Sequence, residues 1–348
     1  MGHRVPADTV LIMGAGVAGL VLAQGLRLRS IPFRLFERHP PSHQAQGHRF
    51  RISSEAQMAL ERVLPSQIQR IFAETAPKRN KFQPQYVSHD IHDDGVLVSF
   101  ADGSHARGQL LVGADGVKSR VRKQLQPTRQ LLDLERWIMW GRTPVTESLK
   151  ENIQDDLLSW SMCIDHEANV QTVVEPILWP EKISQESDTR VPDFSDYVYW
   201  VMCTAPLQYA DSMPKTMEEK KQFLERAVQH WHPSLQHLLR AASHESSACS
   251  LVLSSKPDIC LSNGRSVTLV GDAAHAMSPM GGSGADTAIR NAADLAQTIA
   301  QDGITTSSIA DFEVRMAQRA KEKIEHSFRG GQKFWRGREW YTYNGINL

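Results

Sequence analysis

The first forty residues carry two short apolar runs on either side of one apolar helical stretch. Val10–Met13 is continuously apolar, which is typical of a strand buried on both faces. An apolar stretch follows to about Leu28, and a second short run spans Phe33–Phe36. This order predicts a βαβ unit with a right-handed crossover, the usual opening of a parallel, doubly wound sheet.

Further along the chain the hydrophobic period changes to two. From Tyr86 to Phe100, apolar and polar residues alternate, and Asp94-Gly95 and Asp102-Gly103 supply turn dipeptides. This pattern predicts an antiparallel meander, followed by another buried strand at Leu110–Ala114. Residues 137–205 hold most of the tryptophans within β-rich runs, which predicts a second antiparallel sheet with most of these rings in its core.

Helical patterns occur early and in the second half of the chain. Ser53 or Ser54 is expected to cap a helix that reaches about Val63, and residues 215–229 and 234–241 are expected to be helical. The last helix carries a core-facing stripe of residues at nearly helical spacing. The stripe consists of Ile309, Phe312, Met316, Ala320, Ile324 and Phe328.

Composition narrows the class of protein. The chain has 348 residues, as many positive as negative side chains and 41% hydrophobic residues, so it is neither a general nucleic-acid binder nor disordered. The four cysteines form no zinc or disulfide pattern and suit a reducing compartment. The apolar segment from Thr9 to Ala23 is broken by glycines and is too short to span a membrane. We therefore expect a soluble, cytoplasmic protein, with an oligomeric state that the sequence does not indicate.

A glycine-rich turn follows the first strand. Gly14 permits a tight turn, Gly16 lets the backbone approach a pyrophosphate, and Gly19 lets the helix pack close to the strand. About 20 residues later comes Glu37, placed where a carboxylate accepts hydrogen bonds from ribose hydroxyls. This context predicts a dinucleotide site whose phosphates lie at a helix N-terminus. The alternative is a glycine-rich turn that binds nothing.

Two more motifs follow later strands. Asp115-Gly116 comes at the carboxyl end of a predicted strand, where open α/β sheets bind ligands. Asp272 ends another predicted strand, where its carboxylate can hold a polyol hydroxyl. The glycines of segment 281–284 then open a helix with exposed N–H groups.

The three motifs, in this order, resemble those of the class A FAD-dependent flavoprotein monooxygenases of the aromatic-hydroxylase type. They match that family's glycine fingerprint, its Asp-Gly motif and its Gly-Asp motif, over about residues 9–60, 86–125 and 260–330. Segments 327–331 and 142–144 are also similar to the fungal natural-product branch of the family.

The resemblance implies an α/β fold with a Rossmann-like FAD-binding domain, in which a parallel sheet is joined by an antiparallel meander. Residues 1–127 and 247–348 would form this discontinuous domain. Residues 128–246 would form an inserted, mainly antiparallel β-sheet domain that binds the substrate, and helices would close the chain.

By the same resemblance, the glycine fingerprint holds the pyrophosphate of FAD, Glu37 the adenosine ribose and Asp272 the ribitol, while the backbone at 282–285 faces the flavin ring. Arg51 stands near the place of a basic residue close to the flavin. The residues expected to bind FAD are Gly14, Ala15, Gly16, Ala18, Gly19, Glu37, Arg38, Arg51, Asp115, Asp272, Gly282, Gly284 and Ala285.

Family members reduce FAD with NAD(P)H and transfer oxygen from O₂ to the substrate. The resemblance thus implies a monooxygenase that hydroxylates or epoxidises an aromatic or polycyclic small molecule in secondary metabolism. Arg142 is a catalytic candidate that could orient a phenolate, with a surface salt bridge as the alternative. Pro279 is a candidate for shaping the loop beside the flavin.

Other interpretations stay open. The same fold could serve a flavin oxidase or dehydrogenase. The segment between Gly14 and Gly113 is shorter than is usual in the family, so a truncated, non-redox protein with impaired FAD binding is a further alternative. No metal site is expected, because the histidines near residue 40 lack ligand spacing. The basic runs at 118–123 and 315–323 are interpreted as solvated helix faces, and His275 as a packing residue.

Overall fold

Three β-sheets and the helices around them form the fold. A computed structural model of the chain describes residues 9–39, 52–65, 69, 85–93, 95–153, 155–178, 195–262 and 266–347. The strands are β1 (Val10–Met13), β2 (Phe33–Phe36), β3 (Tyr86–His92), β4 (Gly95–Phe100), β5 (His105–Gly108), β6 (Leu110–Gly113), β7 (Leu131–Pro144), β8 (Ser161–Asp165), β9 (Val170–Ile177), β10 (Tyr197–Thr204), β11 (Ala248–Ser254), β12 (Val267–Leu269) and β13 (Gly345–Ile346). The α-helices are α1 (Val17–Leu28), α2 (Ser54–Glu61), α3 (Arg120–Leu125), α4 (Glu147–Asn152), α5 (Met217–Val228), α6 (Pro233–Arg240), α7 (Asp272–His275), α8 (Gly284–Asp302) and α9 (Thr306–Trp335). Short 3₁₀ turns lie at Asp155–Leu158, Pro279–Gly281 and Trp340–Thr342.

The predicted βαβ unit is confirmed as part of a four-stranded parallel sheet. Its strand order is β12-β6-β1-β2, and each neighbouring pair is parallel. All residues of β1 and β6 are buried, as their continuous apolar sequences require. Helix α1 packs against α8, and the stripe at the start of α9 closes the same core.

Two antiparallel sheets confirm the predicted meander and the predicted second sheet. Strands β3, β4 and β5 form the meander. The larger sheet has the order β11-β7-β10-β9-β8, and β13 pairs with the start of β7. The mixed α/β architecture is therefore the one expected from the sequence.

The larger sheet has one buried face and one open face. Trp137, Met139, Trp200 and Met202 lie on the buried face, beneath Phe223 and its neighbours on α5 and α6. The alternate residues of β7, β9 and β10 lie on the other face, and most of them are only half-buried. We call this second surface the open face.

The division into domains stays a proposal, but the strand pairing refines where its boundary is best placed. Strands β11 and β13 lie within the stretch 247–348 that was expected to belong to the cofactor domain. Both pair with β7 and so belong to the substrate-domain sheet. Cross-strand hydrogen bonds favour a boundary that follows Ser254, with β13 returning to the sheet.

Helix caps divide the helices into two groups. Side chains cap α2, α3, α4, α5, α6 and α9 at their N-termini, and Ser53 caps α2 as predicted. Within the described residues, α1, α7 and α8 lack a side-chain cap. The stripe on α9 is buried along its whole length, as predicted.

Candidate active site

The carboxyl ends of the four parallel strands bring the predicted motifs to one edge of the sheet. Met13 is in register with Phe36 and with Gly113, and Gly113 is in register with Leu269. The residues that follow these four are Gly14, Glu37, Ala114 and Val270. Ligands bind at this edge in open α/β sheets, so three motifs that are distant in sequence form one site.

The glycine turn has the geometry that its sequence predicts. Gly14 has φ +104°, a left-handed backbone, and a Cβ there would overlap the carbonyl oxygen of Ala114. A Cβ on Gly19 would overlap the carbonyl oxygen of Gly14. A Cβ on Gly16, by contrast, would meet no atom of the described residues within 4 Å. Gly14 and Gly19 are therefore required for packing, whereas Gly16 adjoins open space.

A cavity of about 280 Å³ connects the glycine turn with the Asp-Gly motif. Gly14, Gly16, Glu37, Arg38 and Asp115 are among the residues that line it. It is a concave space at the strand ends, with polar groups from the segments that follow three strands.

Two carboxylates hold the backbone around this cavity. Glu37 accepts hydrogen bonds from the N–H of Ala15 at 2.7 Å and from the N–H of His39 at 2.9 Å. Asp115 accepts from the Ser119 hydroxyl and from the Arg120 N–H, the latter at 2.8 Å. Asp115 therefore supports the start of α3 and shapes this region of the site.

The Gly-Asp motif packs directly against the glycine fingerprint. A Cβ on Gly271, whose φ is +61°, would lie 2.8 Å from the Cβ of Ala18. The next residue, Asp272, is open to solvent in the cleft, and its carboxylate has no hydrogen-bond or ion-pair partner among the described residues. Partial desolvation of the carboxyl group by the walls of the cleft raises its pKa, and the nearby guanidinium of Arg122 opposes that rise.

Two arginines that sequence reasoning missed join the Asp-Gly and Gly-Asp segments. Arg122 is buried and donates to the carbonyls of Val117 and Ala273, the latter at 3.1 Å. Arg129 donates to the carbonyl of Ala274. Burial lowers the pKa of both, that of Arg129 to about 10.

The prediction of a solvated face over 118–123 is therefore wrong for Arg122. Its helix is only six residues long, so no periodic pattern shows which side faces the protein. Arg122 and Arg129 orient the carbonyls of the Gly-Asp loop.

His275 is fully buried and belongs to a chain of polar contacts that reaches α9. Its Nε2 lies 3.0 Å from Asn291 Nδ2, and Asn291 Oδ1 accepts from Arg319 Nε at 2.7 Å. Arg319 is paired with Asp294. Burial lowers the pKa of His275 to about 4, so the ring is neutral near pH 7 and serves as the packing residue that the sequence suggested.

The segment expected to face the flavin ring lies between Pro279 and the start of α8. Pro279 is exposed in a 3₁₀ turn, and Gly282 has the left-handed φ of +59°. Gly284 and Ala285 are the first residues of α8, whose N-cap Ser283 makes no side-chain cap hydrogen bond. Their N–H groups thus lie in the first turn of an uncapped helix.

The residues at this edge fit FAD. In the described part of the chain, three helices lack side-chain caps, namely α1, α7 and α8. All three begin in the cofactor motifs. Uncapped N-termini offer N–H donors and partial positive charge to a pyrophosphate or a carbonyl. Asp272 offers an unpartnered acceptor to a polyol, and Gly16 leaves room for the phosphates.

Arg142 lies on the open face of the larger sheet. It is half-buried on β7, and its guanidinium has no hydrogen-bond or ion-pair partner among the residues that the structure describes. On the same face, Ile138 and Cys203 belong to a cluster that includes Met277 and Met280, on either side of Pro279 in sequence. The open face thus approaches the loop expected to lie beside the flavin.

Some predictions fall outside this geometry. Arg51, predicted to lie near the flavin, is outside the described residues, as is Trp179. Within the described ranges, no helix is long and apolar enough to cross a membrane, and no group of three or more His, Cys, Asp or Glu is arranged for a metal ion. All four cysteines are unpaired.

Comparisons with known proteins agree with the fold. A model of the FAD binding domain family matches residues 51–304. The chain is 26% identical over 97% of its length to the FAD-dependent monooxygenase thnD of Trichoderma harzianum, of which it covers 94%. A solved structure of a protein assigned as an FAD-containing monooxygenase, from Photorhabdus luminescens, matches with a TM-score of 0.79 and 26% identity, covering 94% of this chain and 99% of that chain.

A longer relative shows how this chain differs in length. The chain is 29% identical, over 93% of its residues, to the dual O-methyltransferase/FAD-dependent monooxygenase elcB of Phaeosphaeria nodorum. It spans 45% of that relative, about half the length of the first relatives it matches. The alignment runs over 425 positions, more than the 348 residues of the chain. Part of the matched region of elcB therefore has no counterpart in this chain.

Proposed function

Because the chain belongs to the FAD binding domain family, we propose that it is an FAD-dependent monooxygenase. It uses NAD(P)H and O₂ to hydroxylate or epoxidise an aromatic or polycyclic small molecule in secondary metabolism. The observation that carries this proposal is the convergence of the three cofactor motifs at one sheet edge, where α1 begins without a side-chain cap. The relatives that are monooxygenases by name support the reaction class.

In this proposal the residues at the carboxyl edge of the parallel sheet would hold FAD. The first turn of α1, with Gly16 beside open space, receives the pyrophosphate. Glu37 accepts from the adenosine ribose and Asp272 from the ribitol. The N–H groups at Gly284 and Ala285, in the uncapped first turn of α8, would hold the flavin ring. Arg38 lines the adenosine end of the cavity.

When bound, FAD supplies the redox chemistry, which is reduction by NAD(P)H and activation of O₂. The protein's own residues position the reactants. Pro279 shapes the loop between the cofactor edge and the open face. Arg142 binds and orients the substrate from that face, where a guanidinium stabilises negative charge on an oxygen atom.

We also propose that the protein acts in the cytoplasm. The four cysteines are unpaired, and Cys203 is buried among apolar residues, which suits a compartment that keeps thiols reduced.

The test is a flavin experiment on the purified chain. We expect a yellow protein with absorbance bands close to those of free FAD. These bands should disappear when NADPH is added without oxygen, and they should return when air is admitted. With 1,8-dihydroxyanthraquinone as the probe and ¹⁸O₂ as the oxidant, a monooxygenase adds one labelled oxygen atom per product molecule.

Other outcomes identify the alternatives. A product that has lost two hydrogen atoms without gaining label would indicate an oxidase or dehydrogenase. A colourless protein that takes up no added FAD would refute the proposal and favour a non-redox protein with an impaired site.

A further inference from the structure

The open face carries an apolar row beside a polar row. Strand register places Trp140 beside Val201 and Val173, in one row across β7, β10 and β9. Two residues further along β7, Arg142 lies beside Tyr199 and Glu175. Residues in register on neighbouring strands share a face and lie close together, so each row is a continuous strip of side chains.

Arg142 differs from three arginines that the protein buries fully or in part. Arg122, Arg129 and Arg136 each donate to at least one backbone carbonyl. Arg142 is half-buried as well, yet its guanidinium donates to no acceptor within the described residues. A partly desolvated charge without a partner is unfavourable unless a ligand provides one.

Tyr199 adds a second unused donor next to it. Its hydroxyl has no hydrogen-bond partner in the described part of the chain, and the side chain is half-buried. Burial raises the pKa of Tyr199, so the phenol stays protonated and acts as a donor. Arg142 and Tyr199 are two adjacent donors in the polar row, and together they match a ligand group with several acceptor atoms and a negative charge.

The polar row lies far from the loop that would adjoin the flavin. Ile138 packs in the cluster with Met277 and Met280. Arg142 follows four residues later on the same face, which corresponds to about 14 Å along an extended strand. A molecule that reaches both ends must be long, and its middle lies over Trp140 and Val201.

We propose that the substrate is a planar polycyclic molecule with an ionised acidic group at the end remote from the oxidised carbon. Arg142 and Tyr199 bind that group, and the apolar row binds the fused rings. The group is a carboxylate or an acidic phenol, because both present charged oxygen atoms. The statement about the oxidised end rests on the proposed function, whereas the binding site for the acid does not.

The test compares matched ligands by isothermal titration calorimetry on the FAD-loaded protein. Anthraquinone-2-carboxylate is compared with anthraquinone-2-carboxamide, and 2-hydroxyanthraquinone with its methyl ether at a pH where the phenol is ionised. Benzoate tests the need for length. The variants are Arg142→Gln, Arg142→Lys and Tyr199→Phe, with Arg240→Gln as control because Arg240 is an exposed arginine on α6.

We expect at least one acid to bind about tenfold or more tightly than its neutral partner. Arg142→Gln should bring that ratio close to one, Arg142→Lys should retain part of it, Tyr199→Phe should reduce it, and Arg240→Gln should leave it unchanged. Benzoate should bind much more weakly than the tricyclic acid. The pair that shows discrimination identifies the group as a carboxylate or a phenol.

Three results would overturn the inference. They are equal binding of acid and neutral partner by the unmodified protein, unchanged discrimination in Arg142→Gln, and no binding of any tricyclic probe. If Arg142→Gln does not fold, the lysine and Tyr199→Phe variants still decide the matter. Calorimetry requires no turnover, so a protein that binds the acid without oxidising NADPH would count against the oxygenase proposal alone.

Discussion

Two glycines of the fingerprint should fail in different ways when replaced by alanine. Gly16 and Gly19 lie within one turn of each other, but only Gly19 is packed against protein. Gly16→Ala should leave the apoprotein intact and impair FAD binding. Gly19→Ala should destabilise the apoprotein itself.

The structure sets the size of each effect. At Gly16, φ is −69° and a Cβ meets nothing in the described residues, so alanine fits without strain. The poorer N-cap and the reduced entropy of the unfolded chain oppose each other, so the free energy of unfolding should change by less than about 1 kcal/mol. At Gly19 the obstacle is the backbone carbonyl of Gly14, which cannot rotate away, and overpacking of this kind costs about 2 kcal/mol or more.

The effect on the cofactor arises from lost hydrogen bonds. A methyl group at residue 16 keeps the pyrophosphate from the first-turn N–H groups of α1. Losing one charge-assisted hydrogen bond of about 1.5–3 kcal/mol raises the Kd by roughly ten- to a hundredfold.

The assay uses stripped apoprotein of both variants. Urea unfolding measures stability, and quenching of flavin fluorescence measures FAD affinity. Normal FAD binding by Gly16→Ala would refute the assignment of the pyrophosphate to this turn. Equal destabilisation of the two apoproteins would refute the claim that Gly16 adjoins open space.

Three further predictions concern ionisable side chains. Asp272→Asn should weaken FAD binding about tenfold through a lost charge-assisted bond. Desolvation raises the pKa of Asp272 on folding, so the ionised carboxylate destabilises the folded apoprotein. The free energy of unfolding therefore includes a contribution from the neutral form, and this contribution is lost as the pH rises through the folded pKa. The asparagine apoprotein should therefore be at least as stable as the unmodified one in urea at pH 7, and lower stability would contradict this account. Arg122→Ala should lower the free energy of unfolding by about 3 kcal/mol, since it leaves buried carbonyls unpaired, whereas Lys123→Ala, at an exposed position of the same helix, should change it little. Folding lowers the pKa of His275 from 6.5 to about 4. The free energy of unfolding should therefore fall by about 3 kcal/mol as the pH falls across that interval. His275→Asn should flatten this pH dependence, whereas His230→Asn, at an exposed position, should not, and an unchanged slope in the first variant would refute the assignment.

Periodic and local signals predicted much of the fold. Continuous apolar runs identified β1 and β6, and the alternation from Tyr86 identified the meander. The cap at Ser53 was recognisable because it depends on residues three apart in sequence. Each of these features depends on neighbours in the chain, which a sequence displays directly.

The motifs at the cofactor edge could also be predicted from the sequence, because they are short and each follows its own strand. Gly14, Glu37, Asp115 and Asp272 all lie at the expected edge. Their detailed roles as FAD ligands stay predictions. The sequence could not reveal that Glu37 and Asp115 hold backbone N–H groups within the protein itself.

The arginines that join distant segments escaped prediction for a physical reason. Arg122 bonds to carbonyls 150 residues away in sequence, and carbonyl acceptors exist at every residue. A pattern of side chains therefore carries no sign of such a bond. Arg142, in contrast, drew attention as a cation within a β-rich segment, but its lack of a partner is visible only in three dimensions.

The alternation along β10 separates two kinds of mutation. Substitutions at Val198, Trp200 or Met202 alter the buried face and therefore change how much folded protein exists. Substitutions at Tyr199 or Val201 alter the open face with little effect on the core. During evolution, substitutions at alternate positions of this strand can therefore change which molecules the protein accepts. Purifying selection for a stable core keeps the intervening positions constant. The sheet is, in this respect, a scaffold in which selectivity can evolve largely independently of foldability.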